Sequence, residues 1–193
     1  LPSAIVTELD PLPQPDRPDR EIRTAARLIE SPEGRVLAVS VHLKCCGRPG
    51  DESDRRRITE ARTIRAAMAR VIAEEEPDAV VIGGDLNLVG TRTPLEILLG
   101  GLDVDGSELT VVDAMQPAPG ASNATWYQPD SRFTPGRLDF VLVSDASLQP
   151  VRSLVLNGLH MTGARWTRGG LRPDDTLISD HFPILVDLEW GAR

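Results

Sequence analysis

VVIGGDLN, residues 80–87, is a short apolar run that two glycines bring to a halt, with Asp85 and Asn87 immediately beyond. The apolar stretch from Ala79 to Ile82 is too brief for a helix and reads as a buried strand. It therefore delivers an Asp and an Asn at its carboxyl end. In extended backbone, residues i and i+2 point to the same side, so Asp85 and Asn87 are expected to share a direction. The two glycines allow a ligand or another backbone to come close. Gly, Asp and Asn are also turn formers, so the same residues taken alone read equally as a turn.

Working back from this strand, Pro77 ends a segment whose apolar positions, Ile58, Ala61, Ile64, Ala67, Met68, Val71 and Ile72, recur mostly at threes and fours. That spacing predicts a helix with one buried face, running from an N-cap at Asp54 to about Glu76. Upstream, Arg35–Leu43 alternates. Leu37, Val39, Val41 and Leu43 line one face; Val36, Ala38, Ser40 and His42 line the other. His42 is thus expected on the face of smaller residues. Residues 22–30 pair with this strand as a β-hairpin turning at 31–34. Residues 3–8 form a further short strand, and the proline-rich stretch 10–20 is expected as loop.

Downstream, residues 93–99 read as a second helix. Residues 111–112 are weakly strand-like, 113–136 read as a long loop, and 138–144, 151–156 and 184–189 as strands. Many strands and few helices predict layers of sheet covered by helix.

The 193-residue chain is 40% hydrophobic and 26% charged, which is globular rather than disordered. It holds no run of eighteen apolar residues. A net charge of −8 disfavours a nonspecific grip on duplex DNA. Arg55, Arg56 and Arg57 form a local basic run that reads as a solvated helix face, or as a contact for an anionic substrate. Compartment stays open. The two cysteines, Cys45 and Cys46, are neighbours and provide no disulfide framework. With His42 they offer ligands to zinc, but no second cysteine pair completes the usual spacing, and partly buried thiols are the plainer reading.

Four sites carry groups capable of chemistry: His42, Asp85 with Asn87, Asp139 in RLDF, and Asp180 with His181 in SDHFP. Each has an ordinary alternative. Asp139 reads as a cap or an ion-pair partner beside its strand, Asp180 and His181 as a polar turn before Pro183, and His42 as a satisfied histidine. Together they form a set suited to metal-assisted phosphoester hydrolysis, with oxygen ligands for a hard cation and a histidine whose tautomer a carboxylate fixes.

HLK, GGDLN, RLDFVLVS and SDHFPILVDL, in that order, resemble the endonuclease/exonuclease/phosphatase superfamily, and Thr125-Trp126 ahead of RLDF fits the same pattern. That group includes pancreatic-type deoxyribonucleases, abasic-site endonucleases, inositol polyphosphate 5-phosphatases and neutral sphingomyelinases. The resemblance implies an α+β fold, a layered β-sandwich flanked by helices. It implies one domain over 1–193, holding the C-terminal portion of the family fold. It implies hydrolysis of a phosphodiester or phosphomonoester by in-line water attack, with magnesium, manganese or calcium. The substrate would be a nucleic acid, a phosphoinositide or a phospholipid head group. His42 would contact the scissile phosphate, and Asp85 would activate water or hold metal. Asn87 would bind a phosphate oxygen, Asp139 would pair with His181, and Asp180 would lie beside the metal. The Asn and the metal-binding Glu usual in the family's N-terminal half have no counterpart here. That motivates a second reading, a non-catalytic binding domain that keeps part of the site.

Overall fold

The computed structural model describes residues 4–8, 10–117, 122–158, 170, 172 and 175–191. In chain order its main elements are β1 (Ala4–Glu8), β2 (Pro13–Gln14), β3 (Arg17–Glu21), β4 (Thr24–Ser31), β5 (Gly34–His42), α1 (Glu52–Glu75), β6 (Ala79–Asp85), α2 (Thr93–Leu99), β7 (Thr110–Val111), β8 (Asp139–Val143), β9 (Leu148–Val155) and β10 (Ile184–Trp190). The main sheet has six strands in the order β1-β4-β5-β6-β8-β7. β4 and β5 form the expected hairpin, in register from Thr24 opposite Val41 to Ser31 opposite Gly34. β5 and β6 are parallel, which requires a crossover, and α1 supplies it. β6 and β8 are antiparallel.

The alternation read from the sequence sets the layers. Leu37, Val39, Val41 and Leu43 are buried and pack with Ile64, Met68 and Val71 of α1 and with Val80, Ile82 and Leu142. The second helix, α2, adds Leu95 and Leu98 to the same core. The opposite face carries small or half-buried residues, and there His42 is exposed, as expected. A separate two-stranded sheet, β9 with β10, closes the chain; Val155 and Ile184 pack with Ala114, Tyr127 and Phe182. The architecture is α+β and layered, as expected.

Three local readings need correction. Residues 10–20 are not all loop. β2 and β3 form a small hairpin of which β3 is exposed along its length while Gln14 of β2 is buried, and proline is tolerated there because no further strand needs its missing N–H. The N-cap of α1 is Asp51, not Asp54: Asp51 accepts from the Asp54 backbone N–H at 2.9 Å, the usual way an aspartate satisfies a free helix donor. Arg57 is not on a solvated face but fully buried. Its guanidinium meets Asp54 at 3.3 Å and donates to the carbonyls of Lys44 and Cys46 at 2.8 and 2.7 Å. Asp54, itself 1% exposed, also accepts from the Gly50 and Thr91 backbone N–H groups. This buried pair ties the loop after β5 and the loop after β6 to the start of α1.

Candidate active site

Strand register assembles the site. His42 is the last residue of β5 and lies opposite Asp85, the last residue of β6; Asp85 lies opposite Asp139, the first residue of β8. Neighbouring strands run about 5 Å apart, so three residues distant in sequence stand in one row at one end of the sheet. Gly84 makes this possible. Its φ is +140°, and a Cβ there would sit 2.0 Å from the Val41 carbonyl oxygen. Only glycine therefore lets β6 meet β5 this closely. Of the two uses expected for the glycines, close approach of another backbone is the one Gly84 fulfils.

His181 joins the row from a different element. It precedes β10 and pairs with Trp126 in an isolated bridge, while the Phe182 N–H donates to the Thr125 carbonyl at 2.7 Å. Its Nδ1 lies 2.8 Å from Asp139 Oδ2. The same oxygen accepts the Thr125 hydroxyl at 2.6 Å, and Thr125 Oγ1 accepts the backbone N–H groups of Leu138 and Asp139. Thr125 is completely buried. It therefore fixes the Asp139 carboxylate, which in turn holds the imidazole. On the other side of the row, His42 Nε2 lies 3.5 Å from Asp85 Oδ2.

Asn87 does not continue the strand. Its φ is +48°, so the shared direction expected from extended backbone is not how it meets Asp85. The chain turns, and the Asn87 backbone N–H donates to Asp85 Oδ1 at 2.8 Å. Its side-chain amide donates to Asp85 Oδ2 at 2.5 Å and to the Leu43 carbonyl at 3.1 Å. Both amide hydrogens are thus directed at the protein, and Asn87 here clamps the Asp85 carboxylate. Asp180 is exposed, accepts from Trp126 Nε1 at 2.8 Å, and is not one of the three residues whose ligand atoms converge, Asp85, Asp139 and His181. Trp126 is half-buried; Trp166, His160 and most of 163–176 lie outside the described residues.

The site's electrostatics follow from burial and proximity. Burial pushes the Asp85 carboxyl up to about 6, and the charge of Asp139 adds to this, while the Asn87 N–H, His181 and Arg23 oppose it. Partial desolvation lowers the pKa of His42, although its side chain reaches solvent, and the charges of Arg23 and His181 lower it further. For His181 burial alone would also lower the pKa, but the hydrogen bond and charge of Asp139, with Asp85 and Asp180, more than offset it and the net shift is upward.

Arg23 is a neighbour of the site that no sequence motif marks. It lies just before β4 and is exposed. Its guanidinium donates to the Leu43 carbonyl at 3.2 Å, and its own carbonyl accepts the His42 N–H at 2.8 Å. Only the β4–β5 register brings it beside His42.

Asp85, Asp139 and His181 each offer a ligand atom within 4.8 Å of the others, and they are the only such trio among the described residues. Two carboxylates and an imidazole suit a divalent cation. Crowding of two acids, one with its pKa raised, is what a bound cation would relieve. His42, Cys45 and Cys46 form no comparable trio, so the zinc reading gains no support. A cleft of about 490 Å³ runs alongside, lined by Gly83, Gly84, Asp139, Val141, His181 and Phe182 among others.

The row of His42, Asp85 and Asp139, joined by the His181 that Asp139 holds, stands at one end of the mixed sheet. The chain belongs to the endonuclease/exonuclease/phosphatase family, whose model matches residues 4–181. The family is one of hydrolases. No curated protein matches the sequence. Among solved structures, the human Nocturnin catalytic domain with bound sulfate superposes with a TM-score of 0.65 at 16% identity, covering 98% of this chain. This chain spans 60% of that one. A mannosyl-6-phosphatase from Bacteroides thetaiotaomicron gives 0.60 at 18% identity, covering 97% of this chain and 67% of its own. TDP2 from D. rerio, complexed with single strand DNA product, gives 0.59 at 13%, covering 97% and 68%. At these identities the likeness is one of fold. No helix among the described residues is long and apolar enough to cross a membrane.

Proposed function

We propose that this protein hydrolyses a phosphodiester or phosphomonoester by direct attack of water, with a divalent cation, magnesium first. The observation that carries this reading is the row His42–Asp85–Asp139, joined by His181 through a 2.8 Å contact to Asp139. Asp85 is the carboxylate assigned to the cation; Asp139 and His181 lie within ligand reach of the same point, and Asp180 adds negative charge beside His181. When bound, such a cation would supply Lewis-acid stabilisation of charge on the phosphoryl oxygens.

The chain's own groups supply the rest. Asp139 orients His181 through Nδ1 and favours its protonated form, the form that can donate to a phosphoryl oxygen as charge develops there. Asn87 holds the Asp85 carboxylate in one orientation, set to ligate the cation or to orient the attacking water. His42, lowered in pKa, is largely neutral at pH 7 and can donate a hydrogen bond without adding charge. Arg23 adds an exposed guanidinium for the non-reacting part of the substrate. Nucleic acid, phosphoinositide and phospholipid head group are the substrate classes to compare. The acidic chain tilts the choice away from duplex DNA.

The test is hydrolysis of bis-p-nitrophenyl phosphate and of single-stranded DNA with magnesium, repeated after EDTA. Turnover that EDTA abolishes and His181→Ala cuts by about 100-fold is expected. Equal turnover by wild type and His181→Ala contradicts the proposal. Absence of both turnover and magnesium binding by calorimetry would favour the non-catalytic binding domain.

A further inference from the structure

Cys45 and Cys46 take no part in the chemistry above, yet their arrangement is unusual. Side chains of neighbouring residues in extended backbone point apart. Here both thiols are free and their sulfurs are only 2.9 Å from each other. The cause is local backbone. Cys46 has φ +68°, and Gly47 follows at +95°. The left-handed conformation is uncommon for a residue with a Cβ. The turn folds the Cys46 side chain back onto Cys45. Cys46 is exposed and Cys45 half-buried, so a small reagent can reach the pair.

The surroundings favour reaction at Cys45. The Cys46 thiol donates to its sulfur, and Lys44 Nζ lies 3.7 Å from it while also donating to the Cys45 carbonyl at 2.9 Å. The hydrogen bond from Cys46 holds the Cys45 thiol below its ordinary pKa, burial opposes this, and the Lys44 charge adds to it; Cys46 is raised correspondingly. One thiol is thus primed as nucleophile and its neighbour is placed to resolve the product.

We propose that Cys45 and Cys46 form a redox modification site, at which a small-molecule disulfide such as glutathione disulfide oxidises the pair to a vicinal disulfide. Cys45 thiolate attacks one glutathione sulfur, the glutathione S–S bond breaks, and one glutathione thiolate leaves. Cys46 then attacks Cys45 sulfur and expels the second glutathione. The two cysteine thiols lose two electrons, the reagent gains them, and the two thiol protons end on the two glutathione molecules. The sulfurs, 2.9 Å apart, need to approach by only about 0.9 Å to reach bonding distance. Cα atoms joined by one trans peptide are about 3.8 Å apart, short of the roughly 4.4 Å at which ordinary disulfides begin. The bond therefore carries strain and is readily reduced, which makes it reversible rather than structural.

The same strain reaches the site. Both carbonyls flanking Cys45 on this turn, those of Lys44 and Cys46, are held by the buried Arg57, and the preceding Leu43 carbonyl is held by Asn87 and Arg23. Twisting the Cys45–Cys46 link pulls on the carbonyl that anchors Asn87, and so on Asp85. This consequence rests on the proposed hydrolytic role; the oxidation does not.

Reduced protein is incubated with glutathione disulfide, freed of reagent, and weighed intact by mass spectrometry. The expected result is a monomer lighter by two hydrogen atoms, with both thiols lost together and both restored by dithiothreitol. Cys45→Ser and Cys46→Ser, each lacking a partner thiol, should instead keep one glutathione adduct. Two intact thiols in the wild type, a lasting wild-type adduct, or a disulfide-linked dimer would overturn the proposal. Turnover of the oxidised form should fall about fivefold or more, equivalent to one lost hydrogen bond, and recover on reduction. Oxidation with unchanged turnover would overturn the link to the site while leaving the oxidation itself established.

Discussion

Replacing Asp139 separates what its charge does from what its shape does. Asp139 Oδ2 accepts the Thr125 hydroxyl at 2.6 Å and faces His181 Nδ1 at 2.8 Å. In Asp139→Asn, the Thr125 proton requires an acceptor at that position, so the amide oxygen takes the place of Oδ2. The hydrogen bond to His181 survives but loses its charge. Bonds to charged groups contribute about 1.5–3 kcal/mol and neutral ones about 0.5–1.5 kcal/mol, so the loss is about 1–1.5 kcal/mol, roughly 5- to 12-fold in rate. Asp139→Ala removes the acceptor altogether and leaves Thr125 and His181 unpaired. Its loss is about 1.5–3 kcal/mol, roughly 10- to 150-fold. The assay is kcat/KM on bis-p-nitrophenyl phosphate with magnesium, with circular dichroism confirming that each variant folds. In a His181→Ala background, Asp139→Ala should add little, because the two residues act as a unit. Both variants within twofold of wild type would refute the pairing, and so would Asp139→Asn being as impaired as Asp139→Ala.

Three further outcomes are expected. Arg57→Met leaves Asp54 buried without its cation and two carbonyls without a donor. Breaking a buried pair costs about 3–5 kcal/mol. Because Gly50 and Thr91 still donate to Asp54, the lower end applies, a fall in Tm of about 6–12 °C by thermal unfolding. For Asp54 itself, the Gly50 N–H, Thr91 and Arg57 hold the carboxyl below its ordinary pKa against the opposing effect of burial. Its contribution is therefore present above the unfolded value of about 4 and lost as pH falls through the lower folded value; Tm measured from pH 7 to 3 should decline more steeply for wild type than for Asp54→Asn. Arg23→Ala should raise KM about fivefold, equivalent to roughly 1 kcal/mol for an exposed charge contact, with little change in kcat and with the difference shrinking as salt is added.

Much of the scaffold is legible in the sequence because hydrophobic periodicity encodes burial directly. The alternation in 35–43 places Leu37, Val39 and Val41 inward and His42 outward, and the spacing of Ile64, Met68 and Val71 gives α1 its buried face. What periodicity does not carry is the identity of partners. Asp51 and Asp54 stand three apart at the start of α1, and either could cap it; only the backbone path shows Asp51 outside and Asp54 buried on Arg57. Arg57 reads as solvated because its two preceding neighbours are also arginines, and its burial is set by the Lys44 and Cys46 carbonyls, which no sequence window of the helix contains. The β2–β3 hairpin is masked by prolines that forbid a central strand but not an exposed one. Within the site, the residue types are legible, whereas Thr125 as the support of Asp139 and Arg23 as a neighbour of His42 depend on strand register and loop closure.

The central claim is that His42 and His181 face one anion from opposite sides of the Asp85–Asp139 pair. Inorganic phosphate is titrated into the magnesium-loaded protein while the ring signals of both histidines are followed by NMR, with His42→Ala and His181→Ala used to assign them. A single phosphate should move both imidazoles along one shared saturation curve. Movement of neither, or two curves with unrelated midpoints, would contradict the account.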